Sequence, residues 1–306
     1  MAAVFLISAS SVSAQLSYRQ GQHVEPAYEG WRENADGTFS FLFGYFNENW
    51  EEELDIPVGE NNSFTPGTAD RGQPTHFLPR RNRFTFEVVV PSDWGNRELV
   101  WTVTSPNGES RQAFATLAPD YIIDNVVIAS ETGSLGAGTS SPESRANIPP
   151  KVTVLGDTVD GQHVRTVRVG EPLNLQTLVE DDGVPNPSRS FSSSSEAAWK
   201  RTVLNPPGRI TVGKRNGLYL SWNVYRGPLR PQDHVNFDPP QVKPWEDTRT
   251  SANSPWGALW VPPPKPEDNI HAVNVTFDAP GTYILWARAD DGGLYHDQYV
   301  TVIVEP

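Results

Sequence analysis

Arg83-Phe84-Thr85-Phe86-Glu87-Val88-Val89-Val90 places Phe84, Phe86, Val88 and Val90 at every second position. Successive side chains of a strand point to opposite faces, so these four share one side of a β-strand, whereas a helix would scatter them. Thr38-Phe39-Ser40-Phe41-Leu42-Phe43-Gly44-Tyr45 and Leu99-Val100-Trp101-Thr102-Val103 are short runs of the same kind, and an Asp36-Gly37 turn opens the first. The reading is all-β. Composition agrees, because 28 prolines and 24 glycines in 306 residues suit loops between short strands better than helix interiors.

A chain of this length exceeds what one hydrophobic core usually fills, which predicts two domains. The first is expected as a β-sandwich over residues 26–128. Residues 129–149 read Ala-Ser-Glu-Thr-Gly-Ser-Leu-Gly-Ala-Gly-Thr and onward to Pro149, rich in small and polar residues with almost nothing to bury, and are expected as a linker. The second sandwich is expected over 150–306, with strands near 151–154, 164–169, 173–178, 218–225, 273–277, 283–289 and 299–304. Two stretches, 184–215 and 227–269, are longer than ordinary sandwich loops and are expected as insertions.

Ala2 to Ala14, AAVFLISASSVSA, is apolar and ends in small residues before Gln15. It matches the hydrophobic core and cleavage site of a secretory signal over residues 1–14 and implies export to the periplasm, the cell surface or the medium. The run is too short for a membrane helix and no later stretch is long enough, so membrane insertion is not expected. A formal net charge of −13 repels phosphate backbones, which argues against nucleic acid. The absence of cysteine excludes disulfides, thiolate metal sites and cysteine nucleophiles.

Val167-Arg168-Val169-Gly170-Glu171-Pro172-Leu173-Asn174-Leu175, Val179-Glu180-Asp181-Asp182-Gly183, Phe277-Asp278-Ala279-Pro280-Gly281-Thr282-Tyr283 and Ala289-Asp290-Asp291-Gly292-Gly293 together resemble the PKD and cadherin-like group of immunoglobulin-like domains. The resemblance implies that Gly281 makes the tight bend into a late strand, that Tyr283 returns to the core, and that the closing Asp-Asp-Gly precedes the last strand. The first half resembles no family, and with its strands read as a sandwich of the same kind the expected fold is two immunoglobulin-like β-sandwich domains joined by a Ser/Gly/Pro-rich linker. Modules of this group serve as spacers, adhesive units and carbohydrate-protein accessories, so the fold leaves function open.

Asp181, Asp182, Asp290 and Asp291 sit before glycines at strand ends that can share one pole. Clustered carboxylate oxygens suit calcium, whereas Asp-Gly pairs also form turns by capping their own backbone. The run Glu51-Glu52-Glu53-Leu54-Asp55 beside Trp50 offers paired carboxylates but is expected as a solvated acidic edge, with glycoside hydrolysis as the remote alternative. Arg80, Arg81 and Arg83 are expected to pair with that run or with an anionic ligand. The six histidines, His23, His76, His163, His234, His271 and His296, show no zinc-binding spacing and are expected to be structural or on the surface. Trp245, Trp256 and Trp260 among prolines form either a contact surface for a sugar ring or a protein, or a cover for the sandwich flank.

No Gly-x-Ser-x-Gly elbow, phosphate loop or dinucleotide-binding glycine pattern occurs. The expected function is therefore a non-catalytic structural or interaction protein, its partners other surface proteins or a second copy. A carbohydrate-binding accessory module using the three tryptophans is the alternative, and no cofactor beyond calcium is implied.

Overall fold

The computed structural model describes residues 19–49, 51–131, 145–186, 217–228, 230–241 and 265–306. Its first half holds β1 (Val24–Glu33), β2 (Phe39–Asn47), β3 (Leu54–Asp55), β4 (Asn62–Thr65), β5 (His76–Phe77), β6 (Arg80–Val90), β7 (Leu99–Thr104) and β8 (Ser110–Ala115). One sheet runs β1-β2-β6, the other β4-β7-β8, and β3 pairs with β5 at the side. This is the A-B-E and C-F-G division of an immunoglobulin-like sandwich. Between the sheets lies an aromatic core: Phe43 stacks on Phe86 with centroids 5.4 Å apart, and Phe64 on Trp101 at 5.8 Å. The buried indole N–H of Trp101 donates to Asn62 Oδ1 at 2.9 Å, which satisfies the one polar group that this ring brings inside.

After the short helix α1 (Asn125–Glu131), the second half holds β9 (Lys151–Val154), β10 (His163–Arg168), β11 (Leu173–Glu180), β12 (Tyr219–Arg226), β13 (Val235–Asp238), β14 (Ile270–Phe277), β15 (Gly281–Asp290) and β16 (Tyr295–Glu305). The sheets are β13-β14-β11-β9 and β10-β16-β15-β12, with β10 parallel to β16. That is the A-B-E-D sheet facing the C-F-G sheet, and the first strand crosses between them by splitting into β9 and β10. Both halves are thus immunoglobulin-like sandwiches. Gly281 has φ +152°, and a Cβ there would lie 2.8 Å from Pro228 Cγ, so the bend into β15 requires glycine. Tyr283 follows fully buried, its hydroxyl donating to the carbonyl of Ala279 at 3.0 Å.

Three boundaries differ from the sequence reading. The expected linker begins inside α1, whose Ile128 and Ala129 are buried, and at its other end Asn147 is buried too. The stretch 227–269, expected as an insertion, contributes β13, a strand that pairs with β14 from Val235↔Phe277 to Asp238↔Asn274. The first sandwich, expected from residue 26, already includes Val24, which is buried and pairs with Asn47 in β1.

The two sandwiches share a core. On β15, Tyr283, Leu285, Ala287 and Ala289 face the interior of their own sandwich, while Trp286 packs with the first sandwich's core and Ile284 lies against it. Arg288, on the same face as Trp286, is 2% exposed. Its guanidinium pairs with Asp297 at 2.7 Å and donates to the carbonyls of Phe84 at 2.6 Å and Arg83 at 3.2 Å, and its Cζ lies 4.1 Å from the ring centroid of Tyr295. Phe84 has φ +51°, unusual for a bulky residue, at a shift in the β2–β6 register. That turn breaks the alternation of β6: Phe86, Val88 and Val90 join the first core, while Phe84 stacks on Tyr295 of the second sandwich, centroids 6.0 Å apart. A second fastening lies nearby, where Arg226 grips Asp70 through both carboxylate oxygens at 2.8 and 3.0 Å and donates to the carbonyl of Gln73 at 2.8 Å.

Replacing Arg288 by Ala removes the cation beside the largely covered Asp297 and the guanidinium donors to the carbonyls of Arg83 and Phe84. The expected loss is about 3–5 kcal/mol in urea unfolding. Arg288→Met with Asp297→Asn, which removes both charges but keeps an acceptor for the Trp286 N–H, is expected to recover part of it. A single-variant loss below about 1 kcal/mol would mean that the pair does not hold the sandwiches together.

Candidate functional site

The junction between the sandwiches brings together most of the charged groups singled out in the sequence. Asp181 and Asp182 follow β11, and Asp290 and Asp291 close β15. The segment after the expected linker ties both corners, since Asn147 Nδ2 donates to Asp291 Oδ2 and the Ile148 N–H donates to Asp182 Oδ2, each at 3.1 Å. The remaining contacts are turn caps. Asp291 Oδ1 accepts the N–H groups of Gly293 and Leu294, Asp290 that of Gly292, Asp181 that of Gly183, and Asp182 that of Val184. Asn and Asp side chains favour such local bonds, which order the loops around their own backbone. No three of these four carboxylates bring ligand atoms within reach of one ion; among the described residues the group that does is His23, Glu25 and Glu48. Asn147 Oδ1 and Asp181 Oδ1 are buried without a hydrogen-bond partner.

Burial dominates the ionisation of Asp291, which stands at 1% exposure. It pushes the carboxyl up to about 7, with neighbouring Asp290 adding to the rise and the N–H groups of Leu294 and Gly293 and the Asn147 amide opposing it.

The acidic run is not a plain solvated edge. Glu53 and Asp55 lie two apart around the start of β3 and both reach His76 on the paired strand β5, at 3.1 Å to Nε2 and 2.7 Å to Nδ1. Burial alone would lower the His76 pKa, but the hydrogen bonds to Asp55 and Glu53 outweigh it and raise it to about 9, so the ring is an imidazolium at neutral pH. Asp55 also accepts the backbone N–H of Arg230 from the second sandwich at 3.1 Å. Glu51, Glu52, Glu53 and Asp55 then face Arg230 and Asp233 across a cleft of about 690 Å³. With both Glu53 and Asp55 committed to a buried cation, neither is poised as a general acid. A second cleft of about 290 Å³ lies between Phe84, Tyr295 and Ile128, with Arg32 and Glu87 paired at its edge.

Of the arginines, Arg81 pairs away from the acidic run, while Arg80 reaches the backbone of Glu48. Arg81 binds both oxygens of Glu29 at 2.6 and 2.8 Å, and Arg80 donates to the carbonyl of Glu48 at 2.7 Å while its Cζ lies 4.6 Å from the ring centroid of Phe46. Trp50, Trp245, Trp256, Trp260 and the Ser190–Ser195 run lie outside the described residues, as does the apolar segment 1–14. Arg288 and His76 were the residues that sequence reasoning missed. A signal existed for the first: within Ile284-Leu285-Trp286-Ala287-Arg288, both alternating sets are bulky or paired with bulk, which suits a strand covered on both faces. No local signal joins His76 to Glu53, because their meeting depends on the β3–β5 pairing.

No protein-family model matches the chain, and no curated protein matches it. Among solved structures it is similar to a nucleoside hydrolase-related hypothetical protein from Saccharophagus degradans associated with carbohydrate metabolism, at 13% identity and TM-score 0.27, over 56% of this chain and 28% of that one. It is also similar to a human PKD domain, at 13% identity and TM-score 0.24 over 56% of this chain and 92% of that one. The Yersinia pseudotuberculosis adhesin InvE matches at 11% identity and TM-score 0.24, over 92% of this chain and 58% of that one. The chain spans little more than a quarter of the first of these. The strand order above, not these likenesses, defines the class: an all-β protein of two immunoglobulin-like sandwiches.

Two pH responses follow. The raised Asp291 carboxyl favours the protonated folded state, so its contribution is fully present below the unfolded value near 4 and is lost as pH rises through about 7. Asp291→Asn is expected to flatten the thermal-melt profile across that window; the Asn147 amide can turn its unpartnered oxygen toward the new side chain. An unchanged slope would refute the assignment. The His76 contribution is present below about 6.5 and is lost as pH rises through about 9, so the wild type is expected to lose melting temperature from pH 7 to 10. His76→Gln should start lower and show a shallower decline.

Proposed function

We propose that the protein is an exported, non-catalytic structural or interaction protein in which two immunoglobulin-like sandwiches are locked into one rigid unit, acting in assembly or adhesion at a cell surface or in the periplasm. The observation that carries this reading is the buried fastening of β15 and β16 to the first sandwich through Arg288, Asp297 and the Phe84 carbonyl. A two-domain enzyme that closes on its substrate needs room for motion, whereas the buried part of this junction, between the two clefts, is filled by rings, an ion pair and capped turns. A spacer or adhesive unit needs the opposite, a fixed angle between domains that keeps a contact surface in place. The apolar residues Tyr121, Ile122, Val126 and Val127, exposed beside the junction, offer surface for a protein contact. Among the described residues no helix is long and apolar enough to cross a membrane.

Small-angle X-ray scattering of the purified chain tests the rigid unit. The expected result is one compact shape whose dimensions stay constant from low to high salt, and a broader distribution of dimensions for Arg288→Ala. A wild-type curve that requires an ensemble of detached sandwiches would overturn the proposal. So would substrate turnover abolished by a change in either cleft.

A further inference from the structure

A second group of side chains lies where β1 begins and β2 ends. His23 immediately precedes β1, Glu25 is the second residue of that strand, and Glu48 immediately follows β2. Val24 pairs with Asn47, and the Glu48 N–H donates to the His23 carbonyl at 3.0 Å, which carries the ladder one step past the strands. Val24 and Asn47 turn inward and are fully buried. By alternation His23 and Glu25 therefore leave the outer face of one strand, and Glu48 leaves the same face of its neighbour. His23 Nε2 lies 2.7 Å from Glu25 Oε1 and 3.9 Å from Glu48 Oε1, and one ligand atom from each residue falls within 4.8 Å of the others. Donor atoms around a tetrahedral zinc ion, each at roughly 2.0–2.2 Å, stand about 3.4 Å apart, a spacing that the two measured distances bracket.

The backbone behind the group is held. Buried Asn47 donates to the carbonyls of Glu52 and Phe77 at 2.9 and 3.0 Å, and buried Asn49 exchanges bonds with the backbone of Gln22 at 2.7 and 3.1 Å. Glu48 sits between these two anchors and His23 beside them, so rotamer changes alone suffice to close on an ion. Arg111 Nε lies 2.8 Å from Glu25 Oε1, and its Nη1 is 2.9 Å from Glu109 Oε2. This exposed guanidinium occupies one oxygen that an ion would use and has a second carboxylate to retreat to.

The geometry points to a surface site for a divalent transition-metal ion, zinc foremost, held by the imidazole of His23 and the carboxylates of Glu25 and Glu48, with the fourth position open to water or to a group from another molecule. An imidazole nitrogen with two carboxylates suits zinc and its neighbours, whereas calcium and magnesium take oxygen ligands alone. No spacing rule reveals the set, because Glu48 is a neighbour only across the ladder.

The test is calorimetric titration of the full chain, without an affinity tag, with Zn²⁺, and parallel titration with Co²⁺ followed by its visible absorption. One ion per chain is expected. His23→Ala and Glu48→Gln should each weaken binding at least tenfold, Arg111→Ala should tighten it by releasing Glu25, and equimolar Ca²⁺ should not compete. Absence of binding in both the wild type and Arg111→Ala would overturn the inference, as would binding that His23→Ala leaves unchanged while its thermal melt shows a folded protein.

Discussion

The buried guanidinium of Arg288 is the constraint around which the two sandwiches are arranged. Removing an arginine from water is expensive, and the cost is recovered only if its charge and its donors are met. Here Asp297, from the neighbouring strand, meets the charge, while the carbonyls of Arg83 and Phe84 can be met only if β6 turns its backbone outward. The positive φ at Phe84 is that turn. A strained residue in one sandwich is thus held in place by a cation from the other, and neither feature makes sense in an isolated domain. Trp286 lies on the other side of the guanidinium and sends its own N–H to Asp297 at 2.7 Å, so one carboxylate serves both side chains.

This arrangement explains why β15 reads differently from a strand at the surface of a sandwich. Such strands alternate apolar and polar side chains, because one face meets water. β15 is buried on both faces from Tyr283 onward apart from Ile284, and β2 shows the same pattern from Ser40 to Tyr45, with Leu42 facing Ile123, Ile128 and Leu294 rather than solvent. Double burial on one strand from each half gives the two sandwiches a common interior. The short helix α1 and the Asn147–Ile148 segment close the remaining side, tied down by the Asp291 and Asp182 caps.

Much of the fold was legible because period-two patterning survives in one sequence: the strands around Phe41, Phe86, Trp101, Leu175, Leu285 and Val302 all carry it, and the Pro280-Gly281-Thr282-Tyr283 corner fixes its own geometry. The losses have physical causes. β13 and β8 are short edge or near-edge strands whose side chains are half exposed, so they read as loop. The break at Phe84 hid inside a perfect alternation, since the residue is apolar whichever sandwich it faces. The Asn147–Ile148 segment ties both acidic corners, and whether such corners cap backbone or gather an ion depends on loop geometry that composition does not encode. His23, Glu25 and Glu48 could not be grouped from the sequence, because their neighbourhood is a matter of strand register.

The distribution of charge follows from the same packing. The chain has 37 acidic and 24 basic residues, yet the side chains that penetrate its interior with charge intact include cations: Arg288 between two sandwiches, and His76 between two carboxylates. Arg81 and Arg226 are likewise engaged with Glu29 and Asp70. Arg288 and His76 neutralise acids that are largely covered, Asp297, Glu53 and Asp55, whereas Glu51 and Glu52 face the cleft. The formal net charge of −13 leaves an acidic excess after these pairings, so the cations fix the shape of the molecule while its averaged field stays negative.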